Sequence, residues 1–176
     1  EPLMFLKPST SVIGPGQVIT LPNQSSMVHH EAELAVVIGR FCKDVPRDRV
    51  SEVILGFTCA NDVSARDVQE SDGQWSRAKG FDTFCPLGPW IETDLDPSDL
   101  AVTTYVGDDL RQSGNTKNMI FSAVDLVSFV SHQMTLLPGD VILTGTPAGV
   151  GPIVSGDEVE VAIEGIGSLV NTVQRA

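Results

Sequence analysis

The stretch His29-His30-Glu31-Ala32-Glu33-Leu34-Ala35-Val36-Val37-Ile38-Gly39 constrains this chain more than any other. It opens polar, passes into a run of β-branched residues and stops at glycine, the pattern of a strand entering a core. Side chains alternate along a strand, so Glu31 and Glu33 share one face while Ala32, Leu34, Val36 and Ile38 share the other. Two carboxylates side by side on a buried strand repel each other and require a positive charge between them. A hard divalent cation, which takes oxygen ligands, answers that need. The alternative is a strand end whose acidic side chains are simply hydrated. The pattern alone leaves both open.

The net charge of −12, from 23 acidic and 11 basic residues, narrows the partners. It disfavours nucleic acid and anionic membrane surfaces. An anionic small substrate stays possible wherever local Lys, Arg or a metal reverses the sign. No apolar run approaches the roughly 20 residues that span a bilayer, and the first residues lack the basic region of a signal peptide. The three cysteines, Cys42, Cys59 and Cys85, are far apart and form no CxxC pair. Reduced thiols and a cytoplasmic location are expected.

The remaining chain reads as many short strands, two main helices and frequent Gly/Pro turns. Strands are predicted over 3–6, 18–21, 57–63, 102–106 and 140–144, and a paired set over 157–163 and 167–173. Val50, Val53, Ile54 and Phe57, at i, i+3, i+4 and i+7 after Pro46, predict an amphipathic helix of about three turns. A short helix is expected over 64–69, and Pro86-Leu87-Gly88-Pro89 reads as a break in the chain. Ser122 and Asp125 form a capping box that opens a helix burying Val124, Val127, Val130 and Met134. His132 falls within that helix and reads as structural. The fold class is α+β, mostly β, in a single domain over 1–176 rather than a βαβ repeat.

Three further clusters carry chemistry. In Asn61-Asp62-Val63-Ser64-Ala65-Arg66-Asp67-Val68-Gln69, a helix starting after Asp62 would align Asp62, Arg66 and Gln69 on one face. That makes a metal ligand and two oxygen-binding donors, or else an N-cap with solvated residues beyond it. Lys79, among small residues and aromatics in Arg77-Ala78-Lys79-Gly80-Phe81, either points inward to meet an anion or lies on the surface. The loop Thr144-Gly145-Thr146-Pro147-Ala148-Gly149-Val150-Gly151 could approach a ligand through its backbone, or be a plain loop. It has no GK[ST] ending, and neither G-x-S-x-G nor HExxH occurs in the chain. His29 and His30 face opposite ways on a strand, so at most one joins the neighbourhood of Glu31.

Taken in order, five segments resemble the catalytic domain of the fumarylacetoacetate hydrolase family across essentially the whole chain. They are Phe5-Leu6-Lys7-Pro8-Ser9-Thr10, His30-Glu31-Ala32-Glu33-Leu34, the Asn61 to Gln69 cluster, the run from Lys79 to Pro89, and the run from Leu136 to Pro147. The resemblance implies a mixed β-roll with peripheral helices and a homodimer. It implies Glu31, Glu33 and Asp62 as ligands of Mg²⁺ or Mn²⁺, with Ca²⁺ in some members. Arg66, Gln69 and Thr146 match substrate-binding positions, with Lys7 in a matching segment nearby, and Lys79 is expected to hold the negative charge of an intermediate.

The implied chemistry is an enolate formed from a small 2-oxo or 2-hydroxydienoic dicarboxylate and stabilised by the cation, as in the breakdown of aromatic compounds. A 2-hydroxyhepta-2,4-diene-1,7-dioate isomerase-like enzyme or a fumarylacetoacetate- or acylpyruvate-type C–C hydrolase leads, with oxaloacetate decarboxylation next. A non-catalytic, metal-dependent small-molecule binding protein is the reading from another class. Related small members carry a His and a Glu for acid–base work on a segment upstream of the position matching Glu1. The expectation is that the natural protein has that segment, with His30 or a metal-bound water as the substitute.

Overall fold

Alternation of Val159, Val161 and Ile163 with polar residues builds one five-stranded sheet in the computed structural model, which describes residues 1–176. Strands are numbered β1 to β13 and helices α1 to α3 in chain order. In this sheet β12 (Glu158–Ile163) pairs antiparallel with β13 (Gly167–Arg175), running from Glu158 opposite Thr172 to Ile163 opposite Gly167. The sheet order is β2 (Val18–Leu21), β13, β12, β8 (Ala101–Val106) and β9 (Asp109–Asn115).

A second five-stranded sheet is ordered β1 (Val12–Ile13), β7 (Cys85–Glu92), β5 (Ile54–Asn61), β4 (Ala32–Ile38) and β10 (Val141–Leu143). Every residue of β4 is buried, on both faces. Leu34, Val36 and Ile38 enter the main core with Val161, Ile163 and Leu169 of the first sheet. A small sheet is formed by β11 (Gly151–Pro152), β3 (Val28–His30) and β6 (Ser64–Ala65), and the single non-strand residue Glu31 separates β3 from β4. The helices α1 (Arg66–Asp72), α2 (Trp75–Lys79) and α3 (Ala123–Gln133) complete the fold. The expected mostly-β architecture with peripheral helices is the one observed.

The capping box opens α3 as expected: Ser122 Oγ accepts from Asp125 N while Asp125 Oδ2 accepts from Ser122 N. Four local expectations fail. The three-turn helix after Pro46 is a 3-10 turn (Arg47–Glu52) followed by β5, because Ile54 and its neighbours pair with Ile38 of β4. Of the four helically spaced residues, Ile54 and Phe57 serve the central strand of a sheet instead. The Pro86–Pro89 segment lies inside β7 rather than breaking it. Residues 3–6 form no strand, and the helix after Asp62 begins only at Arg66, so Asp62 is not its cap. The three cysteines are free and buried, and burial pushes the thiols of Cys59 and Cys85 up to about 12 and about 11. No helix is long and apolar enough to cross a membrane.

Asp67 ties α1 to the segment leading into β3. Partial burial opposes its ionisation, but donors from Ser25 Oγ at 2.6 Å, Ser26 N at 2.8 Å, Val68 N and Ser26 Oγ outweigh it. Its carboxyl is held down at about 2. A depressed carboxyl pKa stabilises the fold above the unfolded value and loses that contribution as pH falls through the folded one. Stability therefore drops between about pH 4 and pH 2 by more in the wild type than in Asp67→Asn. Urea midpoints across that window measure the difference.

Candidate metal centre

Register places the acidic residues together. Ala32 of β4 faces Asn61 of β5 and Glu33 faces Ala60, so Asp62, one residue past β5, arrives beside Glu31. Two bonds lock this corner: Glu31 N donates to Asn61 Oδ1 at 2.9 Å, and Asp62 N donates to Glu31 O at 2.8 Å. The buried carboxylates of Glu31, Glu33 and Asp62 bring one oxygen each to within 4.8 Å of the others.

Three cations converge on them. Lys79, at the end of α2 and almost fully buried, donates to Glu31 Oε2 at 2.8 Å and Asp62 Oδ2 at 2.5 Å. Its ammonium also lies 5.0 Å from the ring centre of Phe5 and 6.0 Å from that of Trp75. Lys7 donates to Asp62 Oδ1 at 2.7 Å, and Arg66 Nη2 donates to Glu31 Oε1. Glu33 has no such cation. Burial, followed by the repulsion of Asp62, pushes its carboxyl well up, and the Gly145 N–H donated to Oε2 at 2.5 Å only partly offsets this.

The remaining expected residues separate into two groups. Arg66 and Gln69 adjoin: Arg66 Nη1 donates to Gln69 Oε1 at 2.9 Å. Arg66 reaches the cluster from α1 through Glu31, and Gln69 adjoins Arg66 from i+3, rather than the two forming a helical line with Asp62. Thr146 sits on the loop that also presents Gly145 to Glu33. His30 is fully buried, its one ring hydrogen bond is to Gln112, 3.1 Å from Nδ1, and its Nε2 bonds to nothing, the three carboxylates included. Burial, partly offset by Gln112, lowers its pKa. The histidine on the Glu31 side is His29, whose Nδ1 lies 3.5 Å from Arg66 Nε. Burial, then Arg66, lowers its pKa. Asn61 enters the sequence reading only as the start of its cluster and Gln112 not at all, since the partners that give them their roles, Glu31 for Asn61 and Ala32 and Thr146 for Gln112, lie 30 to 80 residues away.

Chemically, the site offers hard oxygen donors, one of them without a cationic partner and disfavoured as an anion. Such a set suits a hard divalent cation, held by Glu31, Glu33 and Asp62. The cations of Lys7, Lys79 and Arg66 suit oxygen anions beside it.

A curled, mostly-β fold with a buried acidic triad and inward lysines defines the class, and the fumarylacetoacetate hydrolase C-terminal family profile matches residues 1–174. The chain belongs to that family. It is similar to a 2-hydroxyhepta-2,4-diene-1,7-dioate isomerase from Mycobacterium marinum, with 58% identity and a TM-score of 0.99 over 99% of this chain and 69% of that one. A maleylpyruvate hydrolase from Sphingobium sp. SYK-6, solved with manganese(II) and pyruvate, is 40% identical with a TM-score of 0.90, covering 98% and 64%. Human mitochondrial oxaloacetate tautomerase FAHD2A is 45% identical over 185 residues, 98% of this chain and 59% of its own length.

Proposed function

We propose that this chain is the catalytic domain of a divalent-metal-dependent enzyme acting on small 2-oxo or 2-hydroxydienoic dicarboxylates. Its reaction is 2-hydroxyhepta-2,4-diene-1,7-dioate-type isomerisation or C–C hydrolysis of the fumarylacetoacetate or acylpyruvate type. The observation that carries this is the pairing of one buried ammonium, Lys79, with two of three clustered carboxylates.

Charge balance supports an anionic substrate. With every group ionised, three carboxylates meet three cations, so a divalent cation leaves a charge of +2 to be met by the substrate. A dianion meets it. Mg²⁺ or Mn²⁺ supplies Lewis-acid polarisation of the substrate oxygens when bound. Arg66 and Gln69 present a donor edge to a substrate carboxylate, and Thr146 presents a hydroxyl from the opposite loop.

As a C–H or C–C bond on the carbon adjacent to the 2-oxo carbon breaks, its electron pair delocalises into the 2-oxo carbonyl and leaves an enolate. Lys79, buried and charged, holds that negative oxygen. Isomerisation returns a proton to a different carbon, whereas in hydrolysis the hydroxyl of water adds to the acyl carbon before the C–C bond breaks and the water's proton ends on the enolate carbon. The activities named for the relatives share this enolate. An enzyme acting on oxaloacetate is the second reading: the relative FAHD2A is named as an oxaloacetate tautomerase, and decarboxylation of oxaloacetate passes through the same enolate.

The test is an ultraviolet assay with Mg²⁺ against hydroxydienoates, acylpyruvates and oxaloacetate. Turnover of at least one, lost on chelation, is the expected result. Ligand binding without turnover of any would instead make this a binding protein on an enzyme scaffold.

A further inference from the structure

An edge strand normally buries aliphatic side chains, yet the single fully buried side chain of β9 is the amide of Gln112. We propose that Gln112 is a positioning residue that turns the Thr146 hydroxyl toward a substrate oxygen. This deepens the reading above and rests on it.

Five hydrogen bonds fix the amide. Ala32 N donates to Gln112 Oε1 at 3.0 Å, as does Thr104 Oγ1 at 2.8 Å, and the Pro147 carbonyl accepts from Nε2 at 2.9 Å. A backbone N–H only donates and a carbonyl only accepts, so the oxygen and nitrogen ends cannot be exchanged. His30 must then donate through Nδ1, which assigns it a framework role in this network. The nitrogen end donates to Thr146 Oγ1 at 2.8 Å.

Because Thr146 accepts from the amide, its own hydroxyl hydrogen points elsewhere. It has no acceptor in the protein, for Thr146 Oγ1 makes no other hydrogen bond. The adjacent residue Gly145 is bonded to Glu33, so the free hydrogen leaves a loop already anchored to the carboxylate cluster. Two glycines hold that loop against β9: a Cβ on Gly114 would lie 2.6 Å from Pro147 Cβ, and one on Gly149 would strike the Arg111 carbonyl. The platform is tight, and a donor direction set in β9 is transmitted without slack.

Gln112→Glu is nearly isosteric, but its carboxylate accepts where the amide donated and draws the Thr146 hydrogen inward. Calorimetry of the Mg²⁺-loaded protein with oxalate, a rigid stand-in for a 2-oxo carboxylate, reads the effect. Gln112→Glu and Thr146→Val each weaken oxalate by about ten- to thirtyfold, the loss of one hydrogen bond to a charged acceptor. The double variant loses no more than Thr146→Val alone, and Thr146→Ser stays within about threefold of wild type. Wild-type affinity in Gln112→Glu, or a double loss equal to the product of the single ones, overturns the proposal.

A measurement on wild type stands in if that variant does not fold. Saturating oxalate shifts the Gln112 side-chain amide NMR signals, and does not shift them in Thr146→Val; an unmoved wild-type signal overturns the proposal. Failure of wild type to bind oxalate with Mg²⁺ instead brings down the functional reading and this one together.

Discussion

Lys79→Met lowers turnover by about three orders of magnitude in saturating Mg²⁺, the scale on which a positioned charge stabilises a developing oxyanion. The side chain has two tasks, and the two conditions of measurement separate them. In chelator, Glu31 Oε2 and Asp62 Oδ2 lose the ammonium they share at 2.8 and 2.5 Å, leaving buried carboxylates with fewer partners. Removing one side of a buried pair costs about 3–5 kcal/mol, so the metal-free variant melts well below wild type. Saturating Mg²⁺ supplies replacement charge and recovers much of that loss. The turnover defect should stay. Unchanged kcat in the metal-loaded variant would remove Lys79 from the chemistry and leave it a structural counter-charge.

Glu33→Gln moves metal-free stability the other way. The Glu33 carboxyl is buried against Asp62 and Glu31 and faces a single backbone donor, so burial and repulsion already disfavour its charge. A neutral amide of the same shape removes the repulsion, and the metal-free variant melts at or above the wild-type temperature. In exchange it no longer responds to cation. At a hundredfold excess over Kd a ligand stabilises by about 2.7 kcal/mol. For a chain of this size that corresponds to a rise in Tm of about 5–10 °C. Wild type shows that rise with Mg²⁺ or Mn²⁺, and Glu33→Gln shows little or none. An equal rise in both proteins would exclude Glu33 from the metal site.

These two experiments turn on residues that were unequally visible in the sequence. Glu31 and Glu33 stand out because a strand's two-residue period puts them on one face. Asp62 was visible as a candidate, though for a helical reason that the structure replaces: it joins the others through the β4–β5 register. Lys79 looked as much like a surface lysine as an inward one. Its burial comes from α2 closing over the cluster together with Phe5 from the first segment of the chain. Gln112 was invisible, since all its partners but Thr104 lie 34 to 82 residues away and its meaning lies in which of its two ends each one meets. The segment after Pro46 shows the converse error, in which periodic apolar residues were read as a helix but were claimed by pairing with β4.

Local chemistry was therefore enough to determine the mostly-β class, the capped helix α3, the β12–β13 pair and the shared face of Glu31 and Glu33. Each depends on periodicity or on neighbours within a few residues, whereas Asp62 joined them only through the resemblance and the β4–β5 register. Only the tertiary structure decided how those carboxylates are neutralised, which histidine faces them and which way the Thr146 hydroxyl points. Strand registers and a single buried amide set these features, and both arise from contacts between segments remote in the chain. The acidic pair at 31–33 announced that a positive charge was needed; packing determined that two lysines and an arginine answer it at Glu31 and Asp62.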